Sequence, residues 1–445
     1  MNTPLADFLN AYRDGSALRL HMPGHKGRGG ENTACDITEI SGADSLYEAS
    51  GILLESERNA SEVFGCHTFY STEGSSLALR AMLYLACVFA AERGERPLIW
   101  AARNCHRSFL SAAALLDFDL DWLMLERTPS YLSCPLVADE LDARLASAVR
   151  RPTAVYLTSP DYLGGMQDIR GIAAVCHKWG VLLLVDNAHG AYLKFLSPSL
   201  HPCDLGADAC CDSAHKTLPV LTGGAYLQIA KTAPAVFTER AKSALALFGS
   251  TSPSYLILKS LDIANKTLSE GYPAHQAAFL TRLASLKETL TRAGYAFYGD
   301  EPMKLTIRAK AYGYTGKELA SLLEEQGVMP EFADPDYLVL MPSPSLTDDD
   351  LARLEKTLLA IPKKEKMLAE PPVLAELPER VMTPREALFA PSETLPTDAC
   401  LGRVFASAAL GCPPAVAPVV AGEVIDARAR EVLAYYGIRE CRVVK

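Results

Sequence analysis

Between about residue 60 and residue 270 the chain alternates short apolar runs with stretches of helical periodicity. The runs are Pro97-Leu-Ile-Trp100, Ala154-Val-Tyr-Leu157, Val181-Leu-Leu-Leu-Val185 and Ala225-Tyr-Leu-Gln-Ile229. Strands buried on both faces read this way, because helices cover both sides of a parallel sheet. The helical spacing predicts helices over Ser75–Glu92 and Ile169–Trp179, the second stopped by Gly180. Together these elements predict an α/β domain built on a mostly parallel sheet.

Past residue 270 the pattern changes. Ala274–Ala293, Gly316–Glu325 and Asp348–Leu359 are spaced as helices, whereas Met303–Arg308 and Tyr337–Met341 alternate as strands. A small α+β domain over 271–360 is expected. Residues 361–385 are rich in Pro, Lys and Glu without a period, as a linker is. The stretch 386–445, with Pro413, Pro414 and Pro418, reads as a C-terminal extension of unassigned fold. At the other end, 1–30 is a separate segment, helix-prone at first and then His21-Met-Pro-Gly-His-Lys-Gly27, so that 31–270 forms the large domain.

Composition narrows the function classes. The 445 residues carry 43 Lys+Arg against 53 Asp+Glu, a formal charge of −10. Such a balance opposes sequence-independent nucleic-acid binding and is compatible with a small cationic ligand. The N-terminus lacks a basic region followed by an apolar one, and the longest apolar stretch, Leu77–Ala91, contains Arg80 and reads as a buried helix. A cytoplasmic protein without membrane partners is expected. The 12 cysteines include the adjacent Cys210 and Cys211 and no CxxC pair, which predicts reduced thiols and no zinc ribbon. His21 and His25 stand at i, i+4, but Pro23 and Gly24 between them deny that spacing a helix, and no metal-ligand set is expected.

Four short segments carry chemistry. Lys216, in Ser213-Ala-His-Lys216-Thr, sits in apolar surroundings that favour the neutral, nucleophilic amine of Schiff-base chemistry. Asp186 ends the run Val181–Val185 and is placed where ligands bind in open α/β sheets, at a strand's carboxyl end. A carboxylate there can hold the protonated ring nitrogen of pyridoxal phosphate; its plain alternative is a helix cap. Gly74, Ser75 and Ser76 open a long helix and suit an anion, although a simple N-cap would look the same. His106, beyond the strand containing Trp100, could lie flat on a cofactor ring or be a satisfied core histidine.

The order of these segments is more specific than any one of them, and it resembles the fold type I, aminotransferase-like pyridoxal phosphate enzymes. Within that group, His21–Gly27, Asp36-Ile-Thr-Glu39, Asn104-Cys-His106, Asp186-Asn-Ala-His189-Gly190, Ser213–Thr217 and Ser250-Thr-Ser-Pro-Ser-Tyr255 resemble the ornithine/lysine/arginine decarboxylase family. The match runs strongly over 16–270 and more loosely to Gly422-Glu-Val-Ile425.

The resemblance implies roles position by position. Lys216 would form the Schiff base, Asp186 would pair with the pyridine nitrogen, and His106 would stack on the ring with Ala188 against its other face. Gly74, Ser75 and Ser76 would hold the phosphate, assisted by Ser213 and His215. Lys216, or else His215, would return a proton to the α-carbon after CO₂ leaves. Members are typically homodimers with shared sites, so Thr251 would reach the neighbouring subunit's phosphate. The substrate would be arginine, lysine or ornithine, with Glu331 and the acidic loop of Asp36, Glu39 and Asp44 as candidates to meet its distal cation. Departures from the family pattern fall at Leu46-Tyr-Glu-Ala-Ser-Gly51, at Asn187 and at Gly411-Cys-Pro-Pro-Ala-Val-Ala-Pro418.

Two alternatives stand beside this reading. An aminotransferase or lyase of the same fold would need a cationic clamp for the α-carboxylate, for which Arg308 is the candidate. A non-catalytic scaffold would not require Lys216, Asp186 and His106 together.

Overall fold

The computed structural model describes residues 1–30, 32–123, 133–372, 376–408 and 418–445. Residues 411–417 of the proline-rich segment, Pro413 and Pro414 among them, lie outside the described residues.

Helices α1 (Pro4–Asp14) and α2 (Ile52–Phe64) precede strand β1 (His67–Ser71). Next, α3 (Gly74–Glu92) leads to β2 (Leu98–Ala102), α4 (Arg107–Leu116) to β3 (Asp119–Leu123), and α5 (Ala138–Ser147) to β4 (Ala154–Thr158). Helix α6 (Ile169–Lys178) precedes β5 (Leu182–Asp186), α7 (Pro202–Leu205) precedes β6 (Ala209–Asp212), and α8 (Ala214–Thr217) precedes β7 (Ala225–Ile229). Helices α9 (Ala235–Phe248) and α10 (Tyr255–Ser269) close the series.

The seven strands form one mostly parallel sheet in the order β1-β7-β6-β5-β4-β2-β3. Strand β5 pairs parallel with β6, whereas β7 runs antiparallel to both β6 and β1. Every residue of β2, β5, β6 and β7 is buried, as sheets covered on both faces require. Edge strands β1 and β3 instead alternate partly exposed and buried positions at their start, so a search for continuous apolar runs passes over them. Strand β6 escapes it for another reason: Ala-Cys-Cys-Asp lacks the branched residues that mark strands. Helix α3 packs on β6, β7 and α9. By length and composition α3 is apolar enough to cross a membrane, and half of that apolar window is buried, Leu77, Met82 and Leu85 among its buried residues.

Two compact units are delimited. The first comprises Met1–Ile99, Leu141–Tyr156 and Ile169–Gln276, and the second Trp100–Glu140, Leu157–Asp168 and Ala277–Lys445, so the division passes through β2 and β4. In the first unit the N-terminal segment is not detached. Leu5 and Leu9 of α1 are fully buried, the helix packs on α2 and α10, and the Ala6 amide donates to Asp262 at 2.9 Å.

In the second unit, α11 (Tyr272–Arg292, its first turn belonging to the first unit) leads to β8 (Phe297–Tyr298) and β9 (Leu305–Arg308). Helices α12 (Ala309–Tyr312) and α13 (Gly316–Glu325) follow, then β10 (Phe332–Ala333), β11 (Tyr337–Leu340) and α14 (Asp348–Ala360). These strands form a small sheet, four strands ordered β10-β11-β9-β8 and all antiparallel. Reciprocal Thr315/Glu318 and Thr347/Asp350 capping boxes start α13 and α14.

The C-terminal stretch has a core of its own. It contains α15 (Pro384–Phe389), β12 (Ser392–Pro396), α16 (Ala427–Tyr435) and β13 (Glu440–Val444), with β12 and β13 antiparallel. Phe405, Val419, Ile425 and Val443 are buried together there. Helix α15 packs on α4, where Arg385 donates to the Ala114 carbonyl at 2.8 Å. Arg103, just past β2, meets Glu423 through two hydrogen bonds of 2.7 and 2.6 Å, with side chains only 6% and 1% exposed.

Candidate active site

Strand direction places the chemistry of the first unit. Since β1 and β6 are each antiparallel to β7, and β5 is parallel to β6, the carboxyl ends of β1, β5 and β6 lie on one edge of the sheet. That edge is where open α/β sheets bind ligands. Asp186 ends β5, the segment Ser213–Lys216 follows β6, and Gly74–Ser76 follow β1. The Ser213 hydroxyl donates to that of Ser75 at 2.7 Å, which joins the last two of these groups.

Asp186 is a buried carboxylate, 3% exposed. The Tyr156 hydroxyl, on β4, donates to its Oδ2 at 3.1 Å, the Ala188 amide to Oδ1 at 3.1 Å, and the Cys211 thiol to Oδ1 at 3.5 Å. Among the described residues no cation pairs with it. A buried carboxyl group held only by neutral donors suits a cationic ligand atom. Asn187 turns away, its amide donating to Asp212 at 2.5 Å.

The Lys216 amine lies 3.0 Å from Nε2 of His189, which is 6% exposed. His215 donates Nδ1–H to the Gly224 carbonyl at 3.1 Å. Burial lowers the His215 pKa and the Lys216 charge adds to this, so its ring is neutral with Nε2 as an acceptor.

Helix α3 starts without a side-chain cap, because Glu73 at the N-cap position turns its carboxylate to the Ser250 amide at 2.6 Å. The Gly74 amide donates to the Gly223 carbonyl at 2.8 Å, so the amides that follow it, with the Ser75 and Ser76 side chains, are the groups placed to meet an anion. Gly74 has φ +70°, a left-handed conformation that disfavours other residues, while space for a Cβ is open. Thr251 is exposed in the loop between α9 and α10, next to the Ser250 held by Glu73.

His106 belongs to the second unit. It caps α4, its Nδ1 accepting from the Ser108 amide at 3.2 Å, which fixes the ring. Glu331 also lies there, exposed, and its Oε1 accepts from the Tyr162 hydroxyl at 3.1 Å. Arg308, exposed at the end of β9, has its guanidinium 5.6 Å from the Tyr298 ring centre.

Two expectations are corrected. Asp44, expected to meet substrate, has a left-handed backbone, and its carboxylate accepts from the amides of Ser45, Ser50, Gly51 and Leu53 at 2.7–3.0 Å. Burial alone would raise its pKa, but these amide bonds hold it below the usual carboxylate value. It is a capping residue at the start of α2. The expectation that no His/Cys set forms also fails, because donor atoms of His201, Cys203 and Cys210 lie within 4.8 Å of one another.

His189 and Tyr156 were not singled out from sequence. His189 could have been found from its place three residues after Asp186. Tyr156 carries no such signal, since inside an apolar run it reads as core.

The family model described as Orn/Lys/Arg decarboxylase, major domain, matches residues 3–298. YaaO of Bacillus subtilis (strain 168) is 31% identical over 371 residues, covering 77% of this chain and 74% of that one. The arginine decarboxylase of the same organism is 28% identical over 467 residues, covering 95% and 91%. Among solved structures, lysine decarboxylase A from Pseudomonas aeruginosa superposes with a TM-score of 0.81 at 18% identity, covering 99% of this chain and 80% of that one, a likeness of fold. The chain belongs to the Orn/Lys/Arg decarboxylase family, whose members are pyridoxal phosphate-dependent amino acid decarboxylases.

Proposed function

We propose that this member of the Orn/Lys/Arg decarboxylase family removes CO₂ from a basic amino acid, arginine first among the candidates, with pyridoxal phosphate as cofactor. Support for arginine comes from relatives that carry that activity in their names and align over 95% of this chain. Lysine and ornithine are the other substrates in the family's description.

The observation that carries the reading is the trio at one sheet edge. It consists of a buried carboxylate without a cation at Asp186, a lysine amine on His189, and an uncapped helix start beside Ser213. These groups fit the ring nitrogen, aldehyde and phosphate of pyridoxal phosphate, respectively. When bound, that group supplies a conjugated cationic ring to accept the electron pair left by departing CO₂.

The chain's own residues then divide the work. Lys216 anchors the cofactor through Nζ and carries the proton returned to the α-carbon, with His189 placed to exchange it at Nε2. Asp186 balances the ring's positive charge. Gly74, Ser75, Ser76 and Ser213 bind the phosphate, and His215 presents its neutral Nε2 as an acceptor. As the family resemblance implies, His106 would hold the ring by stacking, and Ala188 would pack against it. Glu331, Asp36 and Glu39 are the remaining carboxylates proposed to meet the substrate's distal cation. In a homodimer Thr251 reaches the neighbouring phosphate.

The test is direct. Purified protein with pyridoxal phosphate is offered arginine, lysine and ornithine separately, and CO₂ and the amine formed are measured. Release of CO₂ with the matching amine is expected. Amino-group transfer to a keto acid, without CO₂ from any of them, would overturn the reading.

A further inference from the structure

A second cluster in the first unit takes no part in the proposed reaction. His201 stands just before α7, Cys203 lies within that helix, and Cys210 is in β6. Cys203 Sγ is 3.6 Å from Cys210 Sγ, and Cys210 Sγ is 3.8 Å from Nε2 of His201. Zinc bonds of ~2.3 Å to sulfur and ~2.0 Å to nitrogen set tetrahedral edges of about 3.8 Å between sulfurs and about 3.5 Å from sulfur to nitrogen. The cluster already has edges of nearly that length. The Cys66 thiol also interacts with that of Cys203 but lies outside the 4.8 Å grouping and donates to Gln228 Oε1 at 3.0 Å, so it serves as a fourth donor only by leaving that bond. Three cysteines and one histidine are a recognised structural zinc set.

The surroundings suit an ion. His201 is wholly buried, and its Nδ1 has no hydrogen-bond partner among the described residues. Its Nε2 lies 3.1 Å from Asp212 Oδ2 as well as facing Cys210, so a carboxylate stands ready to offset added positive charge. Gln228 at 3.1 Å and Asn187 at 2.5 Å donate to Asp212 and hold it in place without His201. Cys203 is only partly buried, which opens a way in.

We propose that His201, Cys203 and Cys210, completed by Cys66, form a site for a thiophilic d¹⁰ cation of the zinc(II) class. Metal entry displaces the thiol protons, and the proton on His201 Nε2, to solvent. His201 becomes a neutral ligand through Nε2, exchanging its bond to Asp212 for one to the ion.

Full-length protein, reduced and stripped by a chelator, is titrated with Zn²⁺ and separately with Co²⁺ as a spectroscopic probe. About one zinc per chain should survive desalting, and Co²⁺ should show thiolate charge-transfer and tetrahedral ligand-field bands. Cys203→Ser and Cys210→Ser should each weaken binding by about tenfold or more. Cys400→Ser, in the separate C-terminal core, should bind as the parent does. A serine variant that fails to fold is replaced by a measurement on the parent itself. There, Zn²⁺ should protect Cys203 and Cys210 from alkylation, as located by peptide mass spectrometry. Retention of no zinc by the parent, unchanged affinity in both serine variants, or alkylation unaffected by Zn²⁺ would each overturn the site. None of these readouts depends on decarboxylation.

Discussion

The Lys216 amine and Nε2 of His189 are 3.0 Å apart, which joins the residue beyond β6 to the one beyond β5. Whichever of the two carries the shared proton, the other accepts it, so His189 acts on Lys216 rather than on substrate alone. His189→Gln keeps a polar group but removes the ionisable nitrogen. Its kcat should fall on the order of 10²-fold with KM little changed, and the pH profile of kcat should lose one limb. An unchanged profile would remove His189 from the proton path.

Tyr156 and Asp186 make a second test. Tyr156→Phe takes one donor from a buried carboxylate, a loss of about 1–3 kcal/mol. It should appear as weaker retention of pyridoxal phosphate in an absorbance titration, while Asp186→Ala should abolish turnover. Equal retention in Tyr156→Phe would show that the phenol's hydrogen bond to Asp186 does not support cofactor binding.

Asp44 separates a capping role from a substrate role. Its carboxyl is held below its ordinary value of 3.8, so the associated stability is present above that pH and is lost as pH falls through the lowered value. Asp44→Asn tolerates the same backbone and should cost about 1 kcal/mol near neutral pH, with the difference closing in acid. Denaturant melts at several pH values check this. The preference among arginine, lysine and ornithine should not move.

What could be read from sequence follows physical lines. Strands β2, β4, β5 and β7 were legible because burial on both faces demands unbroken apolar runs. Edge strands β1 and β3 carry partly exposed positions, and β6 is built of small residues under α3, so neither type shows that signal. Lys216, Asp186 and Ser75 were legible from their places beside predicted elements. The His201–Cys203–Cys210 grouping was not, because α7 and β6 bring its members together only on folding. Likewise the C-terminal core draws on scattered single residues such as Phe405 and Val443, which no periodicity announces.

Arg103 and Glu423 supply a stability test. Glu423 joins the C-terminal core to the turn that leads to His106, and Arg103 also lies 4.7 Å from the Trp122 ring centre. Glu423→Ala strands a buried guanidinium and should destabilise by about 3–5 kcal/mol, whereas replacing both partners with apolar residues of similar volume should restore much of that. Denaturation midpoints of the single and double variants decide the matter.

Lys216 is the residue proposed to carry the cofactor. Borohydride reduction of the protein loaded with pyridoxal phosphate, followed by peptide mass spectrometry, tests that role directly. One pyridoxyl label is expected, on the peptide containing Lys216, and none on that peptide in Lys216→Ala. A label fixed on another lysine, or visible cofactor absorbance that survives in Lys216→Ala, would contradict it.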